Sequence, residues 1–277
     1  MITDFNGKVA VVTGAGSGIG RALAVRCGAE GMHVVAADVE QGALDETVAL
    51  VGGDAIGVVA DVSDASSVQA LAGRAFSERG AVHLLCNNAG VFQAGVLWER
   101  TIADWEWVLG VNVWGIIHGI RAFVPRMIAQ GTGGHVVNTS SLAGIVSNAF
   151  SGPYNTSKFA ALGISECLAH DLRATGSQLG ASVLVPGSVH TRIADSHRNR
   201  PSALAEGQGA EDAAFVDQAL ADMTSTGADP ADVAALVLAA VRINQFVIPT
   251  SPGYDKQIEV RSQALLERAV PQGLPFD

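Results

Sequence analysis

Cysteine is scarce in this chain of 277 residues: Cys27, Cys86 and Cys167 are odd in number and far apart. Each lies in an apolar stretch, a setting that suits reduced, buried thiols and speaks against disulfides or a cysteine metal centre. No metal is expected. Cationic side chains are also few, seventeen against twenty-seven acidic ones, and the net charge is −10. With no Lys/Arg cluster to neutralise the phosphates of a duplex, nucleic acid is excluded as a partner. The chain lacks the run of about 20 apolar residues that a membrane helix requires. Its start, MITDFNGKVAVVTG, has no basic stretch leading into an apolar segment and a small-residue cleavage site. These absences predict a cytoplasmic protein with no membrane partner. No repeat of 20–50 residues and no low-complexity linker interrupt the chain, so residues 1–277 read as one domain.

What is present is an alternation. The runs KVAVVT, MHVVAAD, AIGVVAD, VHLLCNNAG, GHVVNTSS, ASVLVPG and QFVIP are short and nearly continuous in apolar residues, and helix-length amphipathic segments separate them. Strands that are apolar without alternation have both faces buried, as in a parallel sheet covered by helices on each side. The fold class is therefore α/β: a single doubly wound, Rossmann-like parallel sheet of about seven strands with helices on both faces. Residues 192–230, polar and rich in Ala, Asp, Glu, Ser and Gly, read as a mobile substrate lid with short helices. Residues 250–277 form a C-terminal extension with one amphipathic helix.

The first strand, Lys8 to Thr13, runs into TGAGSGIG and then into a segment with helical spacing of its apolar positions. Glycines at 14, 16, 18 and 20 allow backbone to pass close to a pyrophosphate seated at the N-terminus of the following helix. A tight strand-to-helix turn would use the same residues, and the spacing departs from G-x-G-x-x-G. Asp38 decides between them: it closes the second strand 18 residues after Gly20, where a carboxylate accepts hydrogen bonds from the adenosine ribose hydroxyls and repels a 2′-phosphate. No Arg or Lys occurs at 14–20 or between Asp38 and Arg74 to pair with such a phosphate, so NAD is favoured over NADP. The competing reading of Asp38 is a solvated helix cap before QGALDETVAL, and a single residue can serve as both. Asp61, at the end of the third strand, has the same two readings, with an adenine contact as the functional one.

Tyr154 and Lys158 are four residues apart in a helical segment, so their side chains share a face. An ammonium about 4 Å from a phenolate, at an effective dielectric of about 20, contributes on the order of 4 kcal/mol, which would bring a tyrosine of ordinary pKa about 10 toward working pH. Such a tyrosine can protonate a ketone oxygen or deprotonate an alcohol. Ser141, 13 residues earlier at the end of GHVVNTSS, can hydrogen-bond the same oxygen, and Ser140 is its nearest competitor. Asn112 lies in the apolar helical run WEWVLGVNVWGIIHGI, where a buried amide must find partners.

Taken together, TGAGSGIG, the NNAG of Asn87 to Gly90, Asn112, Ser141, YNTSK at Tyr154 to Lys158 and PGSVHT at Pro186 to Thr191 resemble the short-chain dehydrogenase/reductase family. The likeness runs in order from about Lys8 to Thr191 and resumes weakly near QFVIP. It implies that Asn112, Ser141, Tyr154 and Lys158 are catalytic, with Asn112 holding a relay water beside Lys158; a structural amide in a bent helix is the alternative for Asn112. It further implies cofactor contacts from Gly14, Ser17, Gly18, Ile19, Asp38, Asp61, Val62, Asn88, Ala89, Gly90, Tyr154, Lys158, Pro186, Gly187, Val189 and Thr191. The implied activity is NAD-dependent interconversion of a secondary alcohol and a ketone. Asn88 reads as architectural, and His190 as a substrate-wall or solvated residue. The family also implies subunit pairing through the helix near 101–130 and the Tyr154 helix, hence a homodimer or homotetramer. Phe92 to Leu97, Leu142 to Phe150, Ser188 and the lid should build the substrate pocket. Their apolar character favours a hydrophobic or aromatic substrate. FVPRMIAQG and VIPTSP resemble bacterial dehydrogenases of aryl secondary alcohols. An NADP-dependent ketoreductase and a cofactor-bound sensor or scaffold without turnover remain as alternative readings.

Overall fold

The computed structural model describes residues 2–205 and 211–273. Each of the seven apolar runs forms a strand: β1 Val9–Thr13, β2 His33–Asp38, β3 Ile56–Val59, β4 Leu84–Asn87, β5 Gly134–Thr139, β6 Leu179–Val185 and β7 Val247–Pro249. They make one all-parallel sheet in the order β3-β2-β1-β4-β5-β6-β7. The order reverses between β1 and β4, which opens a crevice at the carboxyl ends of those strands, where ligands of such sheets bind. Between the strands lie α1 Gly18–Ala29, α2 Gln41–Val51, α3 Ala65–Arg79, α4 Ile102–Leu109, α5 Gly115–Ala129, α6 Gly152–Ala174, α7 Glu211–Ser225 and α8 Pro230–Arg242, and α9 Tyr254–Leu266 follows β7.

The strands are continuous in apolar residues because both faces are covered. Ala10 and Val12 of β1 join one core with Leu23 and Cys27 of α1 and Val233, Leu238 and Val241 of α8. Val9 and Val11 join the opposite core with Leu71 of α3, Phe123 and Met127 of α5 and Leu168 of α6. Cys27 and Cys86 are buried free thiols, and burial pushes Cys27 up to about 12. Cys167 departs from expectation: it is free but exposed, on the outward side of α6.

A second departure concerns apolar length. Through a π turn at Gly110–Trp114, α4 and α5 form one helix of 28 residues, Ile102–Ala129, long and apolar enough by length and composition to cross a membrane. Half of its most apolar window is buried inside the domain, and Trp107, Phe123 and Met127 pack as core. The polar positions Asn112 and His118 break the run as sequence without breaking the helix.

Segment 192–230 carries short 3₁₀ turns at Ile193–Asn199 and Ser202–Leu204 and the 15-residue helix α7; residues 206–210 of the expected lid lie outside the described residues. The extension carries α9, with Arg261 4.8 Å from the Phe159 ring of α6 and Tyr254 packed near Leu142. Residues 274–277 of that extension lie outside the described residues.

One buried ionic contact ties segment 192–204 to the domain. Asp104, fully buried, receives Arg200 Nη1 at 2.7 Å and the Thr101 amide at 2.9 Å. Arg200 also donates to Gln93 at 2.8 Å and lies 5.1 Å from the Trp107 ring. Removing one partner of a buried pair is far more damaging than losing a helix cap. Asp104→Ala is expected to lower unfolding free energy by about 3–5 kcal/mol in urea titrations, against about 1 kcal/mol for Thr101→Ala. Equal effects of the two would mean that the ion pair adds nothing to the cap.

Candidate active site

The strand-to-helix turn after β1 is shaped by close approach. Gly14 has φ +66°, and a Cβ on it would stand 2.7 Å from Ala89 Cα. A Cβ on Gly20 would overlap the Gly14 carbonyl oxygen. Arg21 braces the turn, donating to Gly16 O at 2.6 Å and to Glu46 at 2.9 Å. The first-turn amides of α1, unpaired within the helix, open beside Ser17, Gly18 and Ile19 onto a cavity of about 740 Å³. Asp38 stands at the end of β2 with its carboxylate oriented by the Gly16 amide at 2.7 Å and the Glu40 amide at 3.0 Å.

All sixteen residues assigned from sequence to the cofactor line this one cavity, from Asp38, Asp61 and Val62 through Asn88, Ala89 and Gly90 to Pro186, Gly187, Val189 and Thr191. Such a run of small residues and one oriented carboxylate, laid across the switch point, fits a dinucleotide. Asp61 accepts from the Ser63 amide at 2.9 Å and its hydroxyl at 2.7 Å, a turn-forming role alongside its place on the wall. Asn88 is architectural: it donates to Thr13 O at 3.1 Å and accepts from Thr139 at 3.3 Å, which joins the ends of β1 and β5. Thr191 lies against Gly18. His190 is exposed and does not line the cavity.

Ser141 lines the same cavity as Tyr154 and Lys158. The first turn of α6 places Tyr154 and Lys158 on one face, and Lys158 is buried with Nζ donating to Thr139 O at 3.2 Å. Ser141 caps the Leu142–Gly144 turn by accepting from the Ala143 amide at 3.1 Å. Ser140 is committed elsewhere, donating to Lys158 O at 2.7 Å. The two serines are thereby distinguished: only Ser141 has its hydroxyl toward the Tyr154 phenol.

Burial bears on both members of the pair. Burial pushes the Tyr154 phenol above its ordinary value, and the Ser141 hydrogen bond works the other way. The Lys158 ammonium stands over the tyrosine ring, 5.5 Å from its centroid. Lys158 itself is brought down to about 8 by burial. Asn112 is the one assigned residue that does not line the cavity. Sitting in the π turn, its amide accepts from Val91 N at 2.8 Å and donates to Val91 O at 3.0 Å and Ser157 Oγ at 2.9 Å. Ser157 in turn donates to Tyr154 O at 2.7 Å. The side chain thus ties the helix to the loop after β4 and to the Tyr154 turn.

The chain matches the short chain dehydrogenase family over residues 8–202. It belongs to that family. Across 98% of the chain, this short-chain dehydrogenase is 32% identical to a CLA biosynthesis dehydrogenase/reductase of Lactiplantibacillus plantarum, covering 96% of that protein. It is 33% identical to a C alpha-dehydrogenase of Sphingobium sp. (strain NBRC 103272 / SYK-6), with 97% of the chain and 88% of that protein covered. Among solved structures, a short-chain dehydrogenase/reductase of Burkholderia phymatum in complex with NAD superposes with a TM-score of 0.96 at 43% identity, covering 99% of each chain.

Several wall residues of this short-chain dehydrogenase carry no sequence motif. Of the expected stretches 92–97 and 142–150, only Phe92, Leu142, Ala143 and Asn148 reach the cavity; Leu97 points to solvent. Arg198, Asn199, Val216, Leu220 and Met223, all within segment 192–230, line it, and so does Trp107, which the sequence does not point to. Val216 and Leu220, one turn apart on α7, are detectable as helical spacing; Arg198 and Asn199 are not.

A lysine whose pKa falls from an ordinary 10.5 to about 8 on folding binds fewer protons when folded across that range. Its contribution to stability is therefore least favourable below pH 8 and recovers as the pH rises toward 10.5. Lys158→Met is expected to raise the thermal midpoint at pH 7, with the gain shrinking toward pH 10. A variant that melts below wild type at pH 7 would show that the Thr139 hydrogen bond outweighs the burial of charge.

Proposed function

We propose that this enzyme interconverts a hydrophobic, preferably aromatic, secondary alcohol and its ketone using NAD(H). The observation that carries the reading is that Ser141, Tyr154 and Lys158 line one cavity together with Asp38. Residues 14–19, Asp38, Asp61, Val62, 88–90 and 186–191 would hold the dinucleotide. When bound, its nicotinamide supplies hydride to the ketone carbon or accepts it from the alcohol. Tyr154 Oη gives a proton to the ketone oxygen, or takes one from the alcohol, while the Ser141 hydroxyl hydrogen-bonds that oxygen. Lys158 provides the positive charge behind the phenol. Asn112 and Ser157 position this group by fixing the backbone of Val91 and Tyr154. Asp38 favours NAD because its carboxylate accepts from a ribose diol and repels a 2′-phosphate.

The apolar wall supports the substrate class. Phe92 meets the Tyr154 ring edge-on, with centroids 4.9 Å apart, and Val216, Ile193 and Leu220 complete that cluster. The name of the Sphingobium relative and the NAD in the Burkholderia structure support an NAD-linked dehydrogenase. The same reading makes residues 192–230 the lid of this cavity and the protein a cytoplasmic homodimer or homotetramer. Trp98 (84%), Ile102 (72%) and Trp114 (54%) leave apolar surface exposed along or beside the helix that would pair with another subunit.

A tyrosine held above its ordinary pKa is a ready acid and a poor base near neutrality, so alcohol oxidation should accelerate with pH up to and beyond about 9. The test follows NADH formation at that pH over benzylic and cyclic secondary alcohols, polyols and β-ketoacyl substrates, in parallel with NADP. Turnover of the apolar alcohols with NAD is expected, with Tyr154→Phe slower by about 10²–10⁴-fold. Activity confined to polyols or acyl ketones would overturn the substrate class. Tight NADH binding without turnover of any substrate would overturn the enzymatic reading.

A further inference from the structure

Two residues beyond Asp38, Glu40 stands at the cap position of α2 but makes no side-chain bond to that helix. A carboxylate at a helix N-terminus ordinarily turns to the free amides. Here it reaches instead across the cavity mouth to segment 193–199: one carboxylate oxygen accepts from Arg198 Nε at 2.9 Å and from Asn199 Nδ2 at 2.8 Å. The partners are 158 and 159 residues away in sequence. Arg198 is further fixed by donating Nη1 to Asp195 O at 2.8 Å and to Arg192 O at 3.2 Å, and the same nitrogen lies 3.8 Å from the Asp195 carboxylate, a longer contact than the one to Glu40. Burial raises the Glu40 pKa, but the Asn199 bond and the Arg198 charge outweigh it and hold the carboxyl below its usual range. Asp38, Val39, Arg198 and Asn199 all line the same cavity.

This placement bears on cofactor choice, and the inference rests on the NAD reading above. Enzymes of this architecture that accept a 2′-phosphate do so with an arginine near the end of the second strand. Arg198 brings a guanidinium to that end, supplied by a distant segment. Of the guanidiniums that flank the segment, Arg192 pairs with Asp195 at 2.6 Å and Arg200 with buried Asp104 at 2.7 Å. We propose that Glu40 is a specificity-determining residue: by engaging Arg198 and Asn199 it fastens segment 193–199 over the adenosine end of the cavity and withholds the Arg198 guanidinium from a 2′-phosphate. Asp38 discriminates by repulsion, and Glu40 by occupying the competing cation.

The test is a fluorescence titration of the full-length protein with NADH and with NADPH, which requires no substrate. Wild type, Glu40→Gln and the double variant Glu40→Gln/Arg198→Met are compared. Glu40→Gln should narrow the preference for NADH over NADPH by about tenfold, the scale of one charge-assisted hydrogen bond. The double variant should lose the gain in NADPH affinity, because the released guanidinium is gone. An unchanged ratio in Glu40→Gln, or a gain that survives Arg198→Met, overturns the role of Glu40 while NADH binding by wild type leaves the NAD reading standing. Wild type that prefers NADPH overturns both.

Discussion

The ammonium of Lys158 is surrounded by protein, with the Thr139 carbonyl 3.2 Å away, and the parts of the site are arranged around it. The end of β5 supplies that carbonyl, and the first turn of α6 holds Tyr154 in front of it. The loop after β4 passes so close that Gly90 faces both Lys158 Nζ and Asn112 Oδ1. A charged amine in such a place is disfavoured by desolvation, which is why its pKa falls to about 8. Groups of this kind persist at functional sites because the rest of the fold over-determines their position. Two cores, one on each face of a seven-stranded sheet, provide that excess.

The long helix shows how one local irregularity serves the arrangement. A regular α-helix from Ile102 to Ala129 would present Asn112 at a different angle; the π turn at Gly110–Trp114 adds a residue to one turn. Asn112 then meets both backbone groups of Val91 and the hydroxyl of Ser157. Three elements that converge on Lys158 are joined through one buried amide, and each of its polar atoms is satisfied. Its side chain is therefore a brace, consistent with its place behind the cavity wall rather than on it.

Features set by neighbours along the chain are legible in the amino-acid sequence alone. Continuous apolar runs locate all seven strands, because double burial leaves that signature in each run by itself. The glycine turn, Asp38 and the four-residue spacing of Tyr154 and Lys158 are legible for the same reason. Direction and distance in three dimensions are not. The Tyr154–Lys158 spacing says that the side chains share a face, but not that the ammonium stands over the ring. Cys167 has apolar neighbours in sequence and solvent beside it in space. Along the chain the first cation after Asp38 is Arg74, whereas Arg198 arrives from a segment whose fold depends on contacts with Asp104, Gln93 and Trp107.

Those contacts give segment 193–200 a particular mechanical character. At Ile193 and Ser196 it packs against the Phe92 cluster, with Ser196 Oγ accepting the Phe92 amide at 3.1 Å. At Arg198 and Asn199 it grips Glu40 at the adenosine end, and at Arg200 it is pinned to buried Asp104. The three attachments fall within eight residues, so the segment has little slack to release one without disturbing the others. Sites joined through one short, well-anchored element in this way share coupling free energy, and that coupling is reciprocal.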